Sequence, residues 1–399
     1  MIDFRYICFL PLFLFCGTWA EKTLSQMTLD EKIGQLFVAP ICPMRGEDHQ
    51  KDWEILLGKF HIGNAIVKQS DPVTQVRCLN TLQKKSKRPL LIAADAEWGL
   101  AMRMKDTIAF PKNRILGAVE NLDLLEEFGK EVGREAKRVG VHLVLAPVAD
   151  VNNNPENPII GARSFGKEPE RVADCVAKVI RGIQSAGVFA TAKHFPGHGD
   201  TKVDSHAALP FISHDWKRLD QIELVPFKRA IQEEVFAVLS AHLLVPAIDP
   251  THPTTLSYFC MTKLLQEELG FKGLIISDAL NMNALKESPE EKAILAFQAG
   301  LDLFLYGDHI SDKVDELLRH EIPRAWMALR NGVVEGVIVE KEIDRRVKKL
   351  LDAKERLGLN VSSQVEENGV LADLNTVYAL DLQKRLFQAG EKHDAQEHR

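Results

Sequence analysis

The chain has 399 residues, 45% hydrophobic and 27% charged, the balance of a globular protein with one large domain or two ordinary ones. Its 50 basic against 56 acidic residues give a formal net charge of -6. That lacks the cationic excess a nucleic-acid groove requires, so no nucleic-acid partner is expected.

The first predicted element is a leader. Arg5 precedes an apolar run from Tyr6 to Cys16, and Thr18-Trp19-Ala20 then places small residues three and one before a cut, with Glu21-Lys22 behind it. This is the pattern of a secretory signal peptide over residues 1–20, and the run is too short to span a bilayer. The expected location is periplasmic or secreted, with no stable membrane insertion after cleavage. Phe15 stands where lipoprotein signals carry a small residue, which argues against a lipid anchor on Cys16. Cleavage leaves Cys42, Cys78, Cys175 and Cys260, far apart and without C-x-x-C spacing. That argues against a zinc site built from them and leaves one disulfide open.

From Leu36 onward, short apolar runs alternate with longer amphipathic ones. Strands are predicted at 36–38, 65–67, 90–94, 143–147, 189–192, 237–241, 274–277 and 301–305, mostly continuous apolar runs of the kind parallel strands buried on both faces require. Helices are predicted between them, among others at 123–138, 168–185, 216–234 and 261–269, and a further helix at 344–358. Eight such units predict a (β/α)8 barrel, with a doubly wound open sheet as the alternative. The polar residues favour the barrel. Asp95, Asp150, Lys193-His194, His242 and Asp278 all fall at the C-terminal ends of predicted strands, where a barrel converges its chemistry. One catalytic domain over residues 21–358 is expected, followed by a C-terminal extension over 359–399 with a single helix at 371–388 and a polar, frayed tail at 392–399.

The densest chemistry lies in Lys193-His194-Phe195-Pro196-Gly197-His198-Gly199-Asp200, continuing to Asp204-Ser205-His206. The glycines at 197 and 199 are expected to let the later part move. In an extended segment Asp204 and His206 point to one side, and a carboxylate beside an imidazole fixes its tautomer and raises its basicity. Such a pair can give a proton and take one back. Taken alone, an Asp-x-His is more often a surface ion pair, and the surrounding histidine cluster is what favours chemistry. In Gly273-Leu274-Ile275-Ile276-Ser277-Asp278 an apolar strand ends in a carboxylate, suited either to a helix N-cap or to a nucleophile. Asp95, Arg163, Lys193 and His194 offer directional hydrogen bonds suited to a ligand dense in hydroxyls, and Trp98 a ring for stacking or plain packing.

Together these motifs resemble glycoside hydrolase family 3, specifically its bacterial β-N-acetylglucosaminidases. Ala146-Pro147-Val148-Ala149-Asp150-Val151-Asn152, the stretch from Asn157-Pro158 to Arg163-Ser164-Phe165-Gly166, and Gly270-Phe271 to Ser277-Asp278 match in the family's order, and the resemblance covers about residues 24–358. It implies Asp278 as the nucleophile, His206 as general acid/base with Asp204 as its partner, and Asp95, Arg163, Lys193 and His194 as sugar-binding residues. The implied reaction is retaining, releases terminal β-linked N-acetylglucosamine and needs no metal or organic cofactor. The implied partner is a small saccharide or a muropeptide, and the expected assembly is a monomer.

Two positions depart from the family's pattern. Glu97-Trp98-Gly99-Leu100, with Arg103 beyond, replaces a common Glu-Gly-Gly-Arg, and Ser277-Asp278-Ala279 replaces a common Ser-Asp-Asp. The Trp98 variant is similar to exported relatives, some of which carry an extra C-terminal serine-hydrolase domain, whereas many relatives act in the cytoplasm, the alternative location. Competing readings are a β-glucosidase of the same family, a metal-dependent barrel hydrolase using His194, His198, Asp200 and His206, and a non-catalytic sugar-binding barrel.

Overall fold

In a computed structural model, the structure describes residues 17–307 and 313–397, with side chains described to Glu391. Eight parallel strands form the centre: β1 (Phe37–Ile41), β2 (Asn64–Val67), β3 (Leu91–Ala94), β4 (Leu143–Val144), β5 (Phe189–Phe195), β6 (Ala237–Ser240), β7 (Leu274–Ile276) and β8 (Phe304–Leu305). From β1 to β7 each strand pairs with the next in sequence, and β8 pairs with β1. The remaining seam, between β7 and β8, is closed by a parallel bridge from Ile276 to Leu303 and by Ser277 N–H donating to the Leu303 carbonyl at 3.0 Å. Closure disposes of the open-sheet alternative.

All eight predicted strands are present because each is an apolar run with no room for solvent on either face. Inside the barrel, Val38, Ile66, Leu143, Leu239, Ile276 and Leu305 form one cluster. Leu350, Ala353 and Leu359 close its floor, arriving on and just after helix Glu340–Arg356. The outer helices build a second, larger core against the strands' other faces. Lys354, also on the floor, donates to Gln35 Oε1 at 2.7 Å and to the Gly63 carbonyl at 2.9 Å.

Helices Asp123–Arg138 and Pro169–Ser185 appear where expected. The predicted helix at 216–234 is instead two, Trp216–Gln221 and Val225–Gln232, because Pro226 has no N–H to continue the first helix and is tolerated in the first turn of a new one. The C-terminal extension also differs from expectation. It forms two helices, Val370–Leu374 and Val377–Glu397, and the second runs through most of the segment expected to fray.

The expected leader lies outside the described residues up to Cys16. Its last residues begin a docked helix, Trp19–Ser25, capped by Thr18, with the Trp19 and Ala20 N–H groups donating to the Glu355 carboxylate at 3.0 and 3.2 Å. Among the described residues no helix is long and apolar enough to cross a membrane. Cys42, Cys78, Cys175 and Cys260 are all free thiols.

Candidate active site

A cavity of about 330 Å³ opens at the C-terminal mouth of the barrel, lined among others by Asp95, Glu97, Trp98, Arg163, Lys193, His194, Asp204, His206 and Asp278. All seven candidate site residues therefore meet in one place, contributed by the ends of β3, β4, β5 and β7.

The side of the cavity nearest β3 and β5 is a network of ion pairs. Lys193 Nζ lies 2.9 Å from both Asp95 Oδ1 and Glu97 Oε1. Arg163 grips Glu97 with two parallel bonds, Nε to Oε2 at 2.9 Å and Nη2 to Oε1 at 2.6 Å, and Arg103 reaches Asp95 at 2.9 Å. Burial alone would raise both carboxyls, but the facing cations prevail. Lys193 and Arg103 hold Asp95 well below the usual range, while Arg163 and Lys193 bring Glu97 to about 2. Burial would likewise lower the Lys193 ammonium, and Asp95 and Glu97 raise it instead. Such pairs stay charged because each partner is satisfied on several sides.

His194 is fixed from behind. Asp150, fully buried after β4, accepts from the His194 backbone N–H at 3.2 Å, meets its Nδ1 at 2.7 Å and accepts from the His198 N–H at 2.7 Å. A carboxylate on Nδ1 leaves His194 Nε2 facing the cavity, 3.3 Å from Arg163 Nη2. Burial would raise the Asp150 carboxyl, and the two histidines hold it below its ordinary value.

After β5 the segment divides in two. Its first part is packed tightly. Asn157 Nδ2 donates to the carbonyls of His198 and Gly199 at 2.9 and 3.0 Å, and Asn154 Nδ2 to that of Thr201 at 3.2 Å. A side chain at Gly199 would overlap the Val151 carbonyl, so this glycine serves close backbone approach. That corrects the expectation that it is a hinge. His198 is also not a reacting group here. It is 3% exposed, bonded to Thr201 Oγ1 at 2.9 Å and Ser205 Oγ at 3.3 Å, and burial lowers it to about 4. Asp200 turns to His214 at 2.5 Å and towards Arg218.

The second part carries the Asp204–His206 pair. His206 Nδ1 lies 2.8 Å from Asp204 Oδ1, which also accepts the His206 backbone N–H at 2.7 Å, leaving Nε2 as the ring's exchangeable edge. Asn283 Nδ2, from the loop after β7, donates to the His206 carbonyl at 3.1 Å. Asp278 faces this pair from the end of β7, and its Oδ1 accepts the Ala279 N–H at 2.8 Å. Burial would raise the Asp278 carboxyl, but His242 and His194 hold it below its ordinary value, keeping it ionised. His242 bonds Thr255 Oγ1 at 2.8 Å and the Ala279 carbonyl at 3.0 Å.

His194, His198, Asp200 and His206 each have a different partner and do not converge, which removes the geometric basis of the metal-dependent reading. Among the described residues the group spaced to hold an ion is Asp200, His214 and Glu223. Arg218 already supplies a cation there, 3.2 Å from Glu223 and 3.6 Å from Asp200.

Sequence reasoning placed Asp150 at a strand end without a specific task and gave no role to Glu97, Asn157 or Asn283. Asp150 carried a usable signal, a carboxylate just past an apolar strand, and Glu97 shares the Asp95 turn. The two asparagines act on backbone carbonyls distant in sequence, and nothing local marks them.

Residues 28–353 match the model of the "Glycosyl hydrolase family 3 N terminal domain". The chain is 31% identical over 345 residues to "Beta-hexosaminidase A" of Pseudoalteromonas piscicida, covering 80% of this chain and 57% of that one. It is 28% identical over 370 residues to "Beta-N-acetylglucosaminidase/beta-glucosidase" of Cellulomonas fimi, covering 89% and 63%. It thus spans about three fifths of the length of these two relatives. The structure is similar to that of a glycoside hydrolase family 3 β-N-acetylglucosaminidase from Paenibacillus sp. str. FPU-7, with a TM-score of 0.82 and 36% identity, covering 91% of this chain and 69% of that one.

Proposed function

Because the chain belongs to glycosyl hydrolase family 3, we propose that it is a retaining β-N-acetylhexosaminidase that removes terminal β-linked N-acetylglucosamine from peptidoglycan fragments. The observation that carries this reading is the ionised Asp278 facing the Asp204–His206 pair across one cavity. Asp278 attacks the anomeric carbon and forms the glycosyl ester, while His206 Nε2 gives its proton to the departing oxygen. His206, now neutral, takes a proton from an incoming water whose oxygen displaces Asp278. Both carboxylate and imidazole are then restored. Asp204 holds the imidazole orientation and stabilises its charged form. Asp95, Arg163, Lys193 and His194 orient the sugar hydroxyls by hydrogen bonds.

The test is release of nitrophenol from the 4-nitrophenyl β-N-acetylglucosaminide against the β-glucoside. Preference for the first supports the reading. Preference for the glucoside favours the second activity in the name of the Cellulomonas fimi relative, and turnover of neither by protein that binds saccharide returns the non-catalytic reading. Digestion of purified muropeptides, with the released sugar identified by mass spectrometry, tests the natural substrate. Export through the residues 1–20 leader belongs to the same proposal, and N-terminal sequencing of the extracytoplasmic form checks it.

A further inference from the structure

The family model ends at residue 353, so the C-terminal arm at 370–397 lies beyond it and the reaction above makes no use of it. Yet the arm is not loosely appended. Leu374, Ala379, Leu382 and Leu386 are all fully buried in the outer core. Its helix Val377–Glu397 crosses the segment that follows the Trp98 turn. Asn375 Nδ2 donates to the Asp106 carbonyl at 3.0 Å, and Gln383 Nε2 donates to that of Ala109 at 2.7 Å. Gly390 sits directly on Ile115, where any side chain would overlap the isoleucine's side chain and carbonyl.

The segment under the arm leads straight to the sugar cavity. The Phe110 N–H donates to the Trp98 carbonyl at 3.3 Å, and Lys112 Nζ stands 5.3 Å from the centre of the Trp98 ring. Asn113, buried beside Ile115, donates through Nδ2 to the Arg163 carbonyl at 2.6 Å. Trp98 and Arg163 line the cavity, and the backbone carbonyl of each takes one hydrogen bond from residues 110–113. The placement of a wall residue depends on the segment bonded behind it as well as on the partners of its own side chain.

We infer that the C-terminal arm is a positioning strap for the sugar pocket, pressing residues 106–115 against the loops that carry Trp98 and Arg163. This rests on the glycosidase reading for the identity of the ligand, but the mechanical link stands on the contacts alone. The arm touches no reacting atom, so its loss weakens saccharide binding and leaves proton transfer and nucleophilic attack intact. In kinetic terms KM rises while kcat holds, the mark of lost uniform binding.

The test uses the full chain carrying Gly390→Val, with Asn375→Ala/Gln383→Ala as a milder second variant should the first not fold. Each is compared with the unaltered chain for kcat and KM on the 4-nitrophenyl N-acetylglucosaminide, and for amide hydrogen exchange. The expected result is a rise in KM of about tenfold for Gly390→Val with kcat nearly constant, and faster exchange in both 106–115 and the backbone of 161–164. Lowered thermal stability with unchanged KM and unchanged exchange at 161–164 overturns the strap. If the unaltered chain turns over no N-acetylglucosaminide, the glycosidase reading fails separately, and the exchange result still decides the strap.

Discussion

Lys193 and His206 lie on one continuous segment, yet the structure treats its two ends differently. The Lys193 side chain is 3% exposed and shared between two carboxylates, and the neighbouring His194 is locked to a buried aspartate. Asp204 is 38% exposed and His206 18%, and the link from another loop described above is Asn283 to a backbone carbonyl. Between them, residues 198–201 are stitched down by Asn154 and Asn157. The change from buried to more exposed residues thus falls after Thr201, later than the glycines suggest. The difference teaches that the groups assigned to sugar binding are preorganised at the strand end, while the pair assigned to proton transfer sits on a more exposed arm of the same segment.

The comparison is broken most severely at the tip of the arm. His206→Ala should lower kcat by about 10³-fold on substrates with poor leaving groups, within the usual range for a general acid/base, a far larger effect than its change in melting temperature. Asp204→Asn should lower kcat by about 10²-fold by releasing the imidazole orientation. Its pH profile should differ from that of the unaltered chain, whereas mere loss of a surface ion pair would leave the profile alone.

At the anchored end the same size of change should appear as stability. Glu97 has a folded-state value of about 2 against an ordinary 4.5. Its ionised form therefore contributes stability that is present in full above pH 4.5 and is lost as pH falls towards 2. Glu97→Gln leaves Arg163 and Lys193 short of a buried partner and should cost about 3 kcal/mol at neutral pH. It should also flatten the acid side of the stability curve, which denaturant titration across pH measures. Unchanged stability would mean the network is not what holds this end. The smallest effect is expected for Asn283→Ala, a severalfold fall in kcat with no change in stability; an unaffected kcat would show that the arm needs no latch.

Much of this was legible in the sequence, for reasons particular to each part. The strands are visible because burial on both faces demands unbroken apolar runs, and the strand-end carboxylates because a barrel collects its polar groups there. The Asp204–His206 pair is visible because its partners are two residues apart. The split at Pro226 was legible in principle, since proline's missing N–H is a local fact. The packed role of Gly199 was not, because it depends on the Val151 carbonyl from another loop. Nor was the settled state of His198, whose hydroxyl partners follow it closely but whose burial is tertiary. The C-terminal arm was readable as helix from its pattern, while the surface it covers could be seen only after folding.

The most direct test combines the fixed nucleophile with a disabled arm. His206→Ala should be mixed with an N-acetyl-β-glucosaminide bearing a highly activated leaving group, quenched in acid, and mapped by peptide mass spectrometry. Such a leaving group needs no proton, so glycosylation should proceed while hydrolysis stalls without its base. The account predicts one N-acetylglucosaminyl unit accumulating on the peptide that contains Asp278. Absence of an adduct despite release of the leaving group, or an adduct on another residue, would contradict it.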